Sequence, residues 1–188
     1  MLQSQPQRDS APENARSVAI STAGPDDIDA VRRLAHEIWR RHYPGIIAAE
    51  QIEYMLERGY SREALLRFVA HDEAGGAPED RGIALARVAE VPVGFAAWCP
   101  ADTRGVMKLE RLYLLPEYHG KGIGRSLIEH VVERARAAAC RRLTLNVNRN
   151  NTGSVRAYER CGFAIAGRGD FPIGGGFVME DFIMEREI

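Results

Sequence analysis

Residues Lys108 to Arg136, KLERLYLLPEYHGKGIGRSLIEHVVERAR, pass from strand to sharp turn to helix. Lys108 to Leu115 is rich in Leu and Tyr and is closed by Pro116, which cannot continue a ladder. Beyond the turn, Ile123, Leu127, Ile128, Val131, Val132 and Ala135 repeat with the spacing of one helical face. Between them lies HGKGIG, with Gly120, Gly122 and Gly124 at alternate positions. Glycines let a backbone pass close to a ligand and adopt positive φ where a turn needs it. The N–H groups of the helix's first turn have no intrahelical partner, and the helix dipole adds partial positive charge there. Together these features predict an anion site suited to a phosphate or pyrophosphate. A glycine-rich strand-to-helix turn without a ligand is the plain alternative.

Spacing narrows the ligand. A P-loop requires GxxxxGK[ST], but Gly124 is followed by Arg125-Ser126. The dinucleotide fingerprint fails as well, because Leu127 stands where its third glycine belongs. A strand followed by [QR]-x-x-G-x-[GA] does fit, with Gly122 and Gly124 in the glycine positions. This resembles the acyl-CoA pyrophosphate loop of the GNAT superfamily of N-acyltransferases. His119 stands where Gln or Arg is usual, a mild departure, since the family's loop works mainly through backbone N–H groups.

A second motif follows downstream in NVNRNNTGSVRAYERCGF, as Asn151-x-x-Ser154-x-x-x-Tyr158-x-x-x-Gly162-Phe163. Asn151 is a good N-cap, and Ser154, Tyr158 and Gly162 fall on one helical side. This resembles the GNAT element in which a strand-end Asn contacts the pantetheine arm and a helix Tyr points at the thioester sulfur. Taken alone, Tyr158 would be a packing tyrosine; the glycine loop upstream favours the functional reading.

The resemblance runs from about Val18 to Glu185. It implies an α/β (α+β) GNAT fold, a mixed and largely antiparallel sheet whose fourth and fifth strands splay apart. Acetyl-CoA would lie in that gap as co-substrate. Leu112, Tyr113 and Leu114 would run along the pantetheine through main-chain groups. His119, Gly120, Lys121, Gly122, Ile123, Gly124 and Arg125 would hold the pyrophosphate, with Asn151, Ser154 and Tyr158 completing the cofactor site. In such chemistry a neutral amine attacks the thioester, and the expected proton donor to the leaving thiolate is Tyr158. A backbone N–H at Tyr113 or Leu114 suits the oxyanion. No Ser-His-Asp or Cys-His arrangement points to an acyl-enzyme. Glu110 is the candidate base, placed with Leu112 and Leu114 by the two-residue strand period. His36 and His42 read as surface or packing histidines.

The remaining chain fits one domain over residues 17–188, preceded by a polar, disordered lead-in over residues 1–16. Ser17–Ser21 reads as a strand and Gly24-Pro25-Asp26-Asp27 as a helix start. A second helix runs from near Ala48 to Gly59, and Ser61 caps a third. Asp72–Arg81 is a loop. Two strands follow, with Glu90-Val91-Pro92 as their hairpin turn and Pro92 at its corner. Leu143–Val147 is a strand, Asn151–Cys161 a helix, and Phe163–Ala166 starts another strand. GRGDFPIGGG connects it to a last strand, Phe177–Met184.

Composition excludes several classes. The 188 residues carry a formal net charge of −1 and no long basic block, which argues against nucleic acid as a partner. Cys99, Cys140 and Cys161 are too few and too irregular for a disulfide framework or a metal site, so a reducing cytoplasm is the simplest setting. No apolar run approaches a membrane span. The expected partner is a small-molecule amine, and a homodimer is left open. Trp39, Tyr43, Tyr54 and Met55 are candidates for an acceptor pocket. Glu50, Glu53 and Glu57 would suit a cationic amine, and the stretch YPGIIAAEQIEYML resembles a GNAT branch that includes bacterial polyamine acetyltransferases. Protein lysine or N-terminal acetylation and a non-catalytic acyl-CoA-binding module are the competing readings. A nucleotide-binding protein of another fold is a more distant one.

Overall fold

The computed structural model describes residues 17–70 and 80–188. The expected lead-in over residues 1–16, and most of the expected Asp72–Arg81 loop, lie outside them. In chain order the elements are β1 (Val18–Thr22), α1 (Ile28–His42), α2 (Ala49–Tyr60), α3 (Arg62–Val69), β2 (Gly82–Val88) and β3 (Val91–Pro100). There follow β4 (Val106–Leu114), α4 (Ile123–Ala137), β5 (Arg142–Asn148), α5 (Thr152–Arg160), β6 (Ala164–Gly174) and β7 (Phe177–Glu187). The strands form one seven-stranded sheet in the order β1-β2-β3-β4-β5-β7-β6. Every neighbouring pair is antiparallel except β4–β5.

Helices cover both faces. In β2, Ile83 and Leu85 pack toward α1, α2 and α3, while Ala84 and Ala86 pack toward α4. The two-residue period thus delivers alternate side chains to two separate cores. On α4, Leu127, Ile128, Val131 and Val132 are at most 2% exposed. Each contributes about 1.5–3 kcal/mol of burial, which seats the helix firmly under β3 and β4. The first core is aromatic. Trp39 packs on Tyr43 at a 4.3 Å centroid distance, with Tyr60 and Tyr113 beyond it.

Several local expectations change. Gly59 lies inside α2, which runs on to Tyr60; Ser61 then caps α3, its Oγ accepting from the Ala64 N–H at 3.1 Å. The β2–β3 turn is Ala89-Glu90, both at positive φ. Pro92 sits inside β3 opposite Arg87, beside a register shift that spares the ladder its missing N–H. GRGDFPIGGG is mostly strand, since β6 continues through Pro172 to Gly174, the first of three positive-φ glycines that turn the chain into β7. A proline is tolerated there because β6 is a sheet edge. Among the described residues, no helix is long and apolar enough to cross a membrane.

Candidate active site

The parallel strands β4 and β5 pair only from Val106–Arg142 to Lys108–Thr144. Beyond that point they part, and a cleft of about 360 Å³ opens between them, within the range usual for small-molecule sites. Of the residues expected to bind or react, Glu110, Leu112, Tyr113, Leu114, His119, Asn151, Ser154 and Tyr158 line this cleft. Gly120, Lys121, Gly122, Ile123, Gly124 and Arg125 do not; they continue directly from His119 into the start of α4.

That turn has the form an anion site needs. Gly120 and Gly122 have φ of 73° and 81°, and Gly122 is the N-cap of α4. Among the described residues, no backbone carbonyl accepts from the N–H groups of Gly120 through Arg125. Gly124 needs no left-handed backbone, yet a Cβ there, as at Gly120 and Gly122, would meet nothing within 4 Å. Open space above a row of unpaired N–H groups fits a pyrophosphate. Ile123 anchors the turn through its buried side chain, and the Lys121 ammonium lies 5.0 Å from the Tyr118 ring centroid. The His119 Nε2–H donates to the Leu114 carbonyl at 2.9 Å and ties the loop to the end of β4. Gly122→Val should therefore weaken acetyl-CoA binding at least tenfold, because a β-branched residue at φ 81° is strained and its side chain fills the space. Calorimetry on the folded variant measures this, and an unchanged affinity would remove the loop from the site.

On the opposite rim, Asn151 caps α5. Its Oδ1 accepts from the Ser154 N–H at 3.3 Å, and its Nδ2 donates to His42 Nε2 at 2.9 Å. Burial, with His119 nearby, lowers the His42 pKa, and the Asn151 hydrogen bond opposes the shift. The half-buried Tyr158 stacks edge-on against Phe163, centroids 5.8 Å apart. Burial, with Tyr43 and Cys161 adding to it, pushes its phenol pKa up, so the proton stays on the oxygen. The Tyr113 ring belongs to the aromatic core behind β4, which leaves its backbone as the part that can face a ligand.

Glu110 requires a correction. The β3–β4 register shifts so that Ala97 opposes Arg111 while Trp98 opposes Leu109. Met107 and Leu109 then share the α4-side core with Leu112 and Leu114, and the extra residue at the bulge is Glu110. Strand alternation is broken there, so Glu110 does not share the face of Leu112 and Leu114. It reaches the cleft beside Lys108, whose Nζ lies 2.8 Å from its Oε2.

The acceptor side also departs from expectation. Trp39, Tyr43 and Met55 line the cleft, but Glu50, Glu53 and Glu57 do not. All three are exposed, and Glu53 is engaged by the Arg40 guanidinium at 2.9 and 2.8 Å. Tyr54 acts as a strut, its hydroxyl donating to the Ile173 carbonyl at 2.9 Å. Gln51 Nε2 approaches the Val178 carbonyl at 3.4 Å and Met179 Sδ at 3.2 Å. These contacts hold α2 against the β6–β7 hairpin, so Phe171, Ile173 and Met179 wall the cleft. Sequence reasoning also missed Asp181, a carboxylate at an inward position of β7 between Met179 and Ile183, where alternation calls for an apolar residue.

Comparison with known proteins agrees with this geometry. The model of the Acetyltransferase (GNAT) family matches residues 33–163. An uncharacterized N-acetyltransferase of Mycobacterium tuberculosis is 30% identical over 162 residues, covering 86% of this chain and 98% of the relative. A spermidine N(1)-acetyltransferase of Thermoplasma acidophilum is 28% identical over 173 residues, covering 87% and 96%. The crystal structure of the PaiA N-acetyltransferase from Thermoplasma acidophilum in complex with coenzyme A superposes with a TM-score of 0.75 at 27% identity. That superposition covers 92% of this chain and 99% of the other.

Proposed function

This chain belongs to the GNAT acetyltransferase family, and from that membership we propose that it acetylates the primary amine of a small, cationic, polyamine-like molecule. The observation that carries the small-molecule reading is the wall across the acceptor side, where Tyr54 and Gln51 pin α2 to the β6–β7 hairpin. A protein lysine or N-terminus calls for a wide groove there. Glu110 and Asp181 among the lining residues favour a cation, as does the similarity to a spermidine N(1)-acetyltransferase. Three free cysteines suit a cytoplasmic setting.

Acetyl-CoA, the co-substrate, supplies the activated acetyl group. The main chain of Leu112, Tyr113 and Leu114 forms an unpaired strand edge past the splay and is our assignment for binding the pantetheine arm. The N–H groups from Gly120 to Arg125 take the pyrophosphate, while Asn151 and Ser154 hold the opposite rim. A backbone N–H at Tyr113 or Leu114 stabilises the developing oxyanion. Tyr158 presents its phenolic proton to the leaving sulfur. Glu110, tied to Lys108, forms part of the charged floor under the acceptor.

The test is thiol release with a panel of diamines, polyamines, amino acids, aminoglycosides and short peptides at two salt concentrations. Diamines or polyamines should give the highest kcat/KM. Added salt should change KM little, because Asp181 is buried and the more exposed Glu110 is already paired with Lys108, unlike the open acids of α2. A peptide N-terminus or neutral amine as best substrate would overturn the cationic small-molecule reading. Binding of acetyl-CoA without turnover of any amine would identify a non-catalytic module.

A further inference from the structure

Asp181 is only 6% exposed, yet it lines the cleft. Its Oδ1 is wholly buried and has no hydrogen-bond partner among the described residues, Asn146 hydrogen-bonds the carboxylate without satisfying that oxygen, and no cation lies within ion-pair distance. A carboxylate in this condition destabilises the protein, and an apolar residue would serve β7 better. Its unmet acceptor capacity points to a donor that arrives with the substrate.

We propose that Asp181 is the catalytic carboxylate of the acceptor site: its carboxylate binds the incoming ammonium and removes its proton. This rests on the acetyltransferase reading above. The groups facing Asp181 are Tyr43 of α1, Lys108 of β4, Asn146 of β5 and Arg149 just beyond it, and Glu110 lines the same cleft. Asn148 sits opposite Asp181 in the β5–β7 ladder. The other candidate bases are engaged. Glu110 is held by Lys108, His42 Nε2 by Asn151, and the Tyr43 hydroxyl lies 3.5 Å from that of Tyr113. Burial raises the Asp181 pKa, with Asn146, Lys108 and Arg149 opposing, which makes the carboxylate a stronger base than a solvated aspartate.

The protons balance as follows. The ammonium gives one proton to the Asp181 carboxylate, and the freed lone pair forms the C–N bond with the acetyl carbon. As the C–S bond breaks, the nitrogen gives up its second excess proton, which ends on the CoA sulfur. Asp181 then returns its proton to water. The products are the acetamide, CoA thiol and one proton.

The experiment compares wild type and Asp181→Asn on a diamine across neutral to alkaline pH. At pH 7 the variant should bind acetyl-CoA normally but lose roughly 10²–10⁴-fold in kcat/KM. Without an internal base it can use only amine already neutral in solution, so the deficit should shrink about tenfold per pH unit below the amine pKa of ~10.4. With a β,β,β-trifluorinated amine, whose three fluorines leave it largely neutral at pH 7, the two proteins should react at similar rates. A deficit independent of pH and amine basicity, or no deficit, would overturn the assignment. If Asp181→Asn does not fold, wild type alone decides: with an internal base kcat/KM for the diamine is flat through neutral pH, and a tenfold rise per unit rejects it. An active wild type with an indifferent Asp181→Asn overturns only this proposal. A wild type that acetylates no amine removes the acetyltransferase reading, and this proposal with it.

Discussion

Tyr158→Phe should bind acetyl-CoA as wild type does and lose roughly 10²–10³-fold in kcat, the usual cost of deleting one donor aimed at developing charge. The ring would still stack on Phe163 and fill the same volume, so stability should change little. The mechanism of loss follows from the phenol's environment. Burial raises its pKa above the ordinary value of 10, whereas a thiol titrates near ~8.5. Full proton transfer from Tyr158 to the thiolate therefore runs uphill. Tyr158 acts by holding a hydrogen bond to sulfur as negative charge accumulates, while the proton that finally stays there comes from the acceptor nitrogen. Single-turnover kinetics, where chemistry limits the rate, measures the effect. A kcat within about twofold of wild type would make Tyr158 a packing residue.

Gly94→Ala should damage both fold and cofactor site, although residue 94 touches neither Tyr158 nor the glycine loop. Gly94 lies in β3 opposite Leu114. An added Cβ would stand 2.6 Å from the Tyr113 carbonyl oxygen and 3.1 Å from Leu114 Cα. Both are backbone atoms, so no rotamer change relieves the contact, and β4 itself must shift. Overpacking of this kind costs about 1–3 kcal/mol, equivalent to a Tm lower by roughly 2–12 °C in a chain of this size. The shift falls on Tyr113 and Leu114, so acetyl-CoA affinity should decline with stability. Calorimetric melting and titration of the same sample check both, and an unchanged Tm with unchanged affinity would refute the account.

The donor half of the site was legible in the sequence because its signals are local. Three glycines before a period-3.6 run and an Asn at a helix start each act over a few residues. The acceptor half depends on contacts that join distant positions. His42 meets Asn151 across 109 residues, and Tyr54 meets Ile173 across 119; neither pairing has a local signature. The bulge at Glu110 was hidden for a related reason: it arises from how β3 and β4 register against each other, and KLERLYL reads as ordinary alternation. Glu50, Glu53 and Glu57 misled because a helix carries acids on its solvated side whether or not a ligand is near. Asp181 did leave a trace, as a charge at an inward strand position.

The short β4–β5 pairing has a thermodynamic consequence. Three residue pairs are all that join β5, β7 and β6 to the rest of the sheet by ladder hydrogen bonds. The molecule is thus two sheets sharing a narrow hinge, and on our reading the pantetheine arm takes the place of the absent ladder beyond it. Occupancy then becomes part of the architecture: acetyl-CoA at 100 times its Kd would add about 2.7 kcal/mol to the folded state. The cell's acetyl-CoA level would set how firmly the two halves hold together as well as how fast the enzyme runs.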